Sequence, residues 1–274
     1  MQGKLYLVAT PIGNLDDITY RAFETLKSVD VIFAEDTRHT GALLHHFNIK
    51  KPLVSYHEYS DEKKHTLVLS RILNGENAAL CSDAGMPCIA DPGQQLVKDA
   101  ISLGIEVVPI PGANAMLTAL IASGISTDQF AFLGFFPRKN KVEEFKKLEN
   151  FYMTGVYYES PMRIVDTLCA LSEVFPDRKI VVARELTKVH EEFIRGTAKE
   201  VYDELSSRDK IKGEIVLIIE GATLIEVELT DSDIEDKLKE LLNDMSLKSA
   251  VKEVCEKYDL PKNRVYEIGK KIKE

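Results

Sequence analysis

The chain has 274 residues, of which 45% are hydrophobic and 29% charged, and its formal net charge at pH 7 is −9. This length and hydrophobic content are enough to bury one large core or two modest ones. The acidic balance argues against a protein that coats nucleic acid or membrane through bulk charge, but it leaves room for a local basic patch.

Strand-like and helical patterns alternate along the first half of the chain. Short β-rich runs predict five strands, at residues 4–9, 29–34, 53–56, 78–81 and 106–110. Helical patterns lie between and after them, at residues 17–28, 40–47, 61–73 and 93–103 and in the run MLTALIAS. This alternation predicts a mostly parallel sheet with helices on its faces, and ligands of such sheets bind beyond the carboxyl ends of the strands.

A second α/β unit is predicted from the aromatic segment FAFLGFFPRKNKVEEFKK onward. Its strands are the aromatic run itself and residues 154–159, 179–185, 191–196 and 214–220, and its clearest helix covers residues 161–175. The last segment reads as helices with a short turn at Leu260 and Pro261. We therefore predict three domains: an α/β domain at 1–123, a second at 124–228 and a helix-turn-helix-like module at 229–274.

The cysteines and the apolar runs indicate the compartment. Cys81, Cys88, Cys169 and Cys255 show no CxxC spacing, so the sequence favours reduced thiols over a disulfide framework or a zinc site. The amino-terminal residues lack an apolar signal core, and no run is long enough to span a bilayer. We expect a cytosolic globular protein, and the sequence gives no evidence for a metal.

The loops after the first two predicted strands hold polar residues. TPIGNLDDIT is neither GxGxxG nor GxxxxGK[ST], which disfavours an ordinary dinucleotide site and nucleoside triphosphate hydrolysis. By itself it reads as a capped turn before a helix. Glu35, Asp36 and Arg38 follow the second strand. They either face a crevice or begin a helix that Asp36 or Thr37 caps.

The loop SDAGMPCIADPG after the fourth strand has more chain breakers than a connector needs. Gly85 can adopt a positive φ, Pro87 and Pro92 stiffen the chain, and Asp83 lies next to the strand end. We predict that this loop shapes a ligand site, with a carboxylate that accepts hydrogen bonds from ribose hydroxyls or an amino group. Asp83 and Asp91 could instead form an acid/base pair for hydrolysis, but the proline-rich separation fixes no distance between the two carboxylates. Two Asx-turns are the simplest alternative.

Three further motifs follow strands and stay ambiguous when taken singly. PGANA gives a helix start built from small residues, which suits either close ligand approach or tight helix packing. ESPMR and ARELTK follow strands of the second unit, and Ser160 with Pro161 also forms a good helix start.

Taken together, seven motifs occur in a characteristic order: TPIGNLDDIT, AEDTR, SDAGMPCIADPG, PGANA, ESPMR, ARELTK and KGEIVLIIEG. This order closely resembles the ribosomal RNA small subunit methyltransferase I family, within the tetrapyrrole-methylase fold class. The motifs span residues 5–221, and the carboxyl-terminal helices resemble the small helical module of that family. Met86 departs from the family pattern, in which threonine is common at this position.

The resemblance implies two α/β domains with S-adenosylmethionine in the cleft between them, and a homodimer. It also implies methyl transfer to the ribose 2′-hydroxyl of a cytidine in small-subunit (16S) rRNA near the decoding centre, either as free rRNA or in the assembled subunit. The positions that match the family's cofactor contacts are Pro11, Ile12, Gly13, Asp83, Gly85, Met86, Asn114, Ala115, Met162, Ala183, Leu186, Gly213 and Glu214.

A ribose hydroxyl is a weak nucleophile, so a base that removes its proton is expected to contribute on the order of 10²–10⁴-fold in rate. The candidates are Glu35, Asp36, Glu185 and a lysine of lowered pKa such as Lys188, and no spacing selects among them. We place Glu35, Asp36 and Arg38 on the substrate side of the cleft, because the loop after the second strand should border it.

RNA binding must be local in a chain this acidic. Arg138, Lys139 and Lys141 begin a basic segment, and we predict that they contact phosphates, which would make affinity fall with salt. A solvated helix face is the simpler alternative. Phe135 and Phe136 precede the segment and either stack on bases or pack in the core.

Two rival functions remain open at the level of the sequence. The same fold could methylate a tetrapyrrole or a protein side chain of the diphthine type, although the basic segment and the helical tail favour RNA. A non-catalytic RNA-binding module is the other rival, and the several cleft loops argue against it.

Overall fold

The computed structural model describes residues 2–57, 62–222, 230–243, 245–258 and 260–272. The chain divides into two compact units, residues 1–222 and 223–274. The boundary predicted at 123/124 lies between two sheets of the first unit, and the three-domain division stays a prediction. Among the described residues, no helix is long and apolar enough to cross a membrane, and none of the four cysteines is in a disulfide.

The first sheet is parallel, as the sequence predicts, with strand order β3-β2-β4-β1-β5. The strands are β1 (Lys4–Val8), β2 (Val31–Ala34), β3 (Leu53–Ser55), β4 (Ala78–Cys81) and β5 (Glu106–Ile110). The central strands β2 and β4 are buried at every position, which explains their uninterrupted apolar sequences VIFA and AALC. Since β2, β4 and β1 are parallel neighbours, the loops that follow them meet at one edge of the sheet.

Side-chain caps mark where two of the predicted helices of this half begin. The helices are α1 (Tyr20–Ser28), α2 (Thr37–His46), α3 (Glu62–Leu73), α4 (Gln94–Ser102) and α5 (Ala115–Ile121). The helix predicted from residue 17 begins at Tyr20 after a 3₁₀ turn, because Thr19 caps it by accepting the Ala22 N–H. The helix predicted from residue 40 begins at Thr37, because Asp36 caps it. Residue 61 of the third predicted helix lies outside the described residues.

The second sheet is mixed, with order β6-β7-β10-β8-β9. Its strands are β6 (Phe130–Phe135), β7 (Thr154–Glu159), β8 (Lys179–Arg184), β9 (Glu192–Thr197) and β10 (Ile215–Ile219). β6 and β7 are parallel, whereas the other neighbouring pairs are antiparallel. Its helices are α6 (Lys141–Lys146), α7 (Ile164–Val174) and α8 (Ala198–Ser206). Neither α6 nor α8 is predicted above.

A register shift near the end of β6 precedes the adjacent Phe135 and Phe136. The register between β6 and β7 shifts between Phe132 and Phe135, and Gly134 within the shift has φ +74°. Phe136 is buried and stacks on Phe145 at a centroid distance of 4.4 Å. Of the two roles left open for Phe136, core packing is the one observed.

An apolar cluster joins the two sheets into one unit. Ile12 from the loop after β1 and Leu120 from α5 pack with Val181, Val216 and Ile218 of the second sheet. Burial of a side chain of this size contributes about 1.5–3 kcal/mol relative to exposure. The cluster therefore holds the carboxyl edge of the first sheet against one face of the second.

The carboxyl-terminal unit contains α9 (Asp231–Leu242), α10 (Leu247–Tyr258) and α11 (Lys262–Lys271). It has its own core, in which Ile234 and Leu238 of α9 pack with Val251, Val254 and Val265. The helices on either side of Leu260 and Pro261 confirm the predicted helix, turn and helix.

Candidate active site

A cavity of about 370 Å³ lies between the loops at the carboxyl edge of the first sheet and the face of the second. This volume falls in the range of roughly 300–1,000 Å³ that small-molecule sites occupy. The cavity is lined by Ile12, Asp83, Ala84, Gly85, Met86, Ile89, Ala90, Asp91, Asn114, Ala115, Phe135, Tyr158, Glu159, Ser160, Pro161, Leu186, Gly213, Glu214, Ile215 and Val216.

The loop after β4 forms one wall and has an unusual backbone. Cys88 and Ala90 have φ of +70° and +61°, and such non-glycine conformations cost of order 1–3 kcal/mol each. Gly85, at φ +80°, is fixed by two backbone hydrogen bonds with Thr10, at 2.9 and 3.0 Å. The loops after β4 and β1 are therefore hydrogen-bonded to each other, which fixes the shape of this wall.

The charged residues that line the cavity are all acidic, and two of them are already in ion pairs, Glu159 with Arg163 and Glu214 with Lys188; the other two are Asp83 and Asp91. Within the described part of the chain, no Lys, Arg or His side chain lines it. Ile12, Met86 and Leu186 supply an apolar surface beside these carboxylates. This donor set suits a ligand that carries positive charge and an apolar or aromatic body, and it disfavours an anionic one.

Asp83 connects the cavity to the loop after β2. Its Oδ1 accepts the backbone N–H of Asp36 at 2.9 Å. Asp36 itself pairs with the Arg38 guanidinium, whose hydrogen bonds hold the pKa of the Asp36 carboxyl well below its usual range. The loop after β2 thus contacts the cavity wall through the backbone N–H of Asp36. The Asp36 and Arg38 side chains are not among the residues that line the cavity.

Asp91 is the acid with the most perturbed protonation on this wall. Burial raises its pKa to about 6, a hydrogen bond with Ser82 partly offsets this, and the neighbouring Asp83 carboxylate raises it further. A pKa near 6 places the proton equilibrium of Asp91 close to neutral pH.

The Asp91→Asn variant is expected to be more stable than the wild type at pH 8 and equally stable at pH 4. Because the folded pKa is raised above the unfolded value, ionisation of Asp91 destabilises the fold as pH rises from about 4 through 6. We expect a difference on the order of 1 kcal/mol, since the half-exposed carboxyl is partly screened. Urea unfolding of both proteins at the two pH values measures it. An equal difference at pH 4 and pH 8 would contradict the assignment.

Glu159 anchors the opposite wall, where ESPMR follows β7. Its side chain is fully buried, with Oε1 accepting the Ser160 N–H at 2.6 Å and Oε2 accepting the Thr167 hydroxyl at 2.7 Å. Arg163 Nη2 lies 2.5 Å from Oε1, and its Nη1 donates to the Phe136 carbonyl at 3.2 Å. The turn that carries Ser160 is therefore fixed to both β6 and α7.

The expectation of a lowered pKa for Lys188 is wrong. Burial alone would lower this pKa, but Lys188 Nζ lies 2.8 Å from Glu185 Oε1 and 2.7 Å from Glu214 Oε2, and these carboxylates raise it overall. The Lys188 ammonium in turn lowers the pKa of Glu185. Both groups are thus stabilised in their charged forms, so Glu185 is a weaker base and Lys188 stays protonated and is not available as one.

The structure brings most of the expected cofactor residues to this cavity. Those that line it are Ile12, Asp83, Gly85, Met86, Asn114, Ala115, Leu186, Gly213 and Glu214. Four others do not line it: Pro11, Gly13, Met162 and Ala183. Ala183 is fully buried in β8, and Met162 is 91% exposed at the tip of its turn. Every cofactor role remains a prediction.

The residues predicted for catalysis lie beside the cavity rather than on its wall. Glu35, Asp36, Arg38 and Lys188 are absent from the lining, although Asp36 reaches it through Asp83 and Lys188 through Glu214. Their roles also stay predictions.

Phe135, Tyr158 and Ile215 line the cavity without having been expected to. The sequence places these residues in strands of the second sheet, but it does not show which face of the sheet each occupies. That depends on the mixed strand order. Asp91 was considered only as half of an acid pair. In each case the sequence does not show which loop of the first sheet lies across the cavity from which face of the second sheet.

The basic segment lies at the beginning of α6. Arg138 and Lys139 are exposed and Lys141 is half-buried. Lys147, farther along, pairs with Glu144 at 2.7 Å. Across the described ranges none of the first three lies within 4.0 Å of a carboxylate oxygen, so their charges remain available to an outside anion.

A parallel sheet joined to a mixed sheet around this cavity defines the class of protein. Residues 4–202 match the tetrapyrrole (corrin/porphyrin) methylases. The fold is similar to uroporphyrin III C-methyltransferase from Thermus thermophilus, with a TM-score of 0.56 and 17% identity over 80% of this chain and 97% of that one. It is also similar to diphthine synthase, with a TM-score of 0.63 and 15% identity over 80% and 90%.

Within this class, curated relatives identify the family. The chain is 47% identical to ribosomal RNA small subunit methyltransferase I of Bacillus subtilis over 97% of this chain and 93% of that protein. It is 45% identical to the Haemophilus influenzae protein of the same name over 98% and 97%. Residues 228–273 match the RsmI C-terminal HTH domain. The chain belongs to the ribosomal RNA small subunit methyltransferase I family.

Proposed function

We propose that the protein transfers a methyl group from S-adenosylmethionine to the ribose 2′-hydroxyl of a cytidine in small-subunit rRNA, near the decoding centre. The identity of 47% and 45% to two curated relatives, over nearly the whole chain, is the main support for an rRNA methyltransferase. The nucleotide, the ribose position and the decoding-centre location rest on the motif resemblance.

The cavity fits this cofactor by its chemistry. S-adenosylmethionine carries a sulfonium, an ammonium and an adenine, and the wall offers apolar side chains and carboxylates, of which Glu159 and Glu214 are already paired with Arg163 and Lys188. A uroporphyrin III C-methyltransferase of the same fold was crystallised with S-adenyl homocysteine. Asp83 and Glu214 would hold the cationic end, and Ile12, Met86 and Leu186 would cover the apolar body. When bound, the cofactor supplies an electrophilic methyl group on sulfur.

The chain's own residues then have a positioning task. The loop after β4 and the turn anchored by Glu159 form two walls of the cavity, and Ile89 and Pro161 line the space between them. The carboxylates proposed as the base that takes the proton of the ribose hydroxyl are Glu35, Asp36 and Glu185, and Asp91 is a further candidate because it lies on the cavity wall with a pKa of about 6.

The setting of the reaction is also part of the proposal. We propose that the substrate is small-subunit rRNA, free or assembled in the subunit, that Arg138, Lys139 and Lys141 contact its phosphates, and that the protein acts as a homodimer. An rRNA substrate places the protein in the cytoplasm.

Mapping of small-subunit rRNA by mass spectrometry tests the function. Cells that lack the protein should lose a single ribose methyl from a cytidine, and the wild-type chain should restore it. The purified protein should also methylate small subunits from the deletion cells with radiolabelled cofactor. Unchanged rRNA together with measurable cofactor binding would favour a methylase of a tetrapyrrole or a protein side chain. Unchanged rRNA without cofactor binding would favour a non-catalytic module.

A further inference from the structure

Phe135 is an exposed aromatic ring on the wall of the cavity. It is 59% exposed and lines the cavity, whereas its neighbour Phe136 is 1% exposed and lies in the core. Successive residues of an extended chain point to opposite faces, so Phe136 enters the core while Phe135 faces the cavity. The register of β6 against β7 shifts just before Phe135, and bulges of this kind often lie next to active sites, where they re-aim a side chain.

The ring is held from behind. Tyr158 meets Phe135 edge to face at a centroid distance of 5.7 Å and an interplanar angle of 66°. Tyr158 is fixed in the same way by Phe132, at 4.8 Å and 62°. Phe135 therefore has a defined orientation while much of its surface remains open, and ordering a ligand against it costs little side-chain entropy.

Unpaired cations follow the ring along the chain. Arg138 and Lys139 are exposed three and four residues beyond Phe135, and Lys141 begins α6. An open aromatic ring next to a cationic turn is the combination by which proteins bind unpaired RNA bases together with their phosphates.

We propose that Phe135 stacks on the unpaired base of the rRNA nucleotide that is methylated, and so places its ribose at the cavity. This inference rests on the proposed function and deepens it by assigning a residue to the RNA substrate. The cofactor's adenine is the other nucleobase that could use the ring. The exposure of Phe135 and its proximity to the basic turn favour the RNA base.

Matched variants on the same strand test the inference kinetically. Phe135→Ala should raise the KM for unmethylated small subunits roughly 5- to 100-fold, the range expected for loss of one stacked base. Phe135→Tyr should retain the wild-type KM. Phe130→Ala removes an equally large ring that is 39% exposed and absent from the cavity lining, and should leave the KM unchanged. The dissociation constant for S-adenosylhomocysteine should be the same in all of them.

A fluorescence measurement gives an independent readout, because the chain contains no tryptophan. In Phe135→Trp the introduced tryptophan is the sole indole, and unmethylated small-subunit rRNA should quench it in the presence of saturating S-adenosylhomocysteine. Phe130→Trp serves as the control and should be quenched far less.

The outcomes separate the two levels of the proposal. A wild-type KM for Phe135→Ala, or equal quenching of both tryptophan variants, would overturn the role of Phe135 while rRNA methylation by the wild type stands. Weaker S-adenosylhomocysteine binding by Phe135→Ala, with quenching by that ligand alone, would assign the ring to the cofactor's adenine and also overturn the inference. If wild-type protein fails to methylate small subunits, the proposed function fails and the inference falls with it.

Discussion

Replacing Asp83 with alanine is expected to weaken S-adenosylmethionine binding roughly 10- to 100-fold, with a matching loss of kcat/KM. Asp83 is a charged group on the cavity wall and also accepts the Asp36 N–H at 2.9 Å. Hydrogen bonds to charged groups contribute about 1.5–3 kcal/mol each, and the expected loss corresponds to one such bond. Isothermal titration with S-adenosylhomocysteine measures the change directly.

The Asp83→Asn variant separates charge from geometry. Its carbonyl oxygen can still accept the Asp36 N–H, so the loops after β2 and β4 should stay connected, but the negative charge is lost. If a cationic ligand end lies at Asp83, the asparagine variant should bind nearly as weakly as the alanine variant. Wild-type affinity in both variants would show that Asp83 does not contact the cofactor.

The Glu159→Ala variant is expected to lose about 3 kcal/mol of unfolding free energy. Removing one partner of a buried ion pair typically costs about 3–5 kcal/mol, because the other charge is left without compensation. The Glu159 side chain is fully buried while that of Arg163 is 23% exposed, which places the expected cost at the lower end. Urea denaturation of the full chain measures it.

Glu159→Gln is the matched control for this site. Glutamine keeps the size of the side chain and an oxygen that can accept a hydrogen bond from Ser160 or Thr167, so it should lose less stability than alanine does. It should also retain more cofactor affinity, since the turn with Ser160 and Pro161 stays closer to its position. A loss below about 0.5 kcal/mol for Glu159→Ala would show that the buried network does not support this wall.

Local patterns in the sequence predicted the first sheet well. The apolar runs VIFA and AALC, with helical segments between the strands, were sufficient for five parallel strands. A strand buried on both faces must be apolar throughout, and a parallel connection requires a crossover. The excess of breakers around Gly85 likewise predicted a shaped loop, because a positive φ is a local requirement.

The second half was less predictable for identifiable reasons. The strands of the second sheet were found, but their mixed order was not, because pairing between β10 and its neighbours joins segments far apart in the chain. Helix α8 was missed even though Thr197 and Glu200 form a capping box before it, a signal that was present in the sequence. Helix α6 has no side-chain cap, and its core residue Phe145 is fixed by stacking on Phe136.

The sequence by itself indicated several of the loops that border the cavity, since loop shape and strand burial are encoded within a few residues. Tertiary structure alone decided which of those side chains meet. It paired Lys188 with Glu185 and Glu214 and so raised its pKa, it buried Asp91 beside Asp83, and it placed Phe135 rather than Phe136 at the cavity. Charge interactions and burial act between neighbours in space, and those neighbours come from strands and loops that the chain brings together only when it folds.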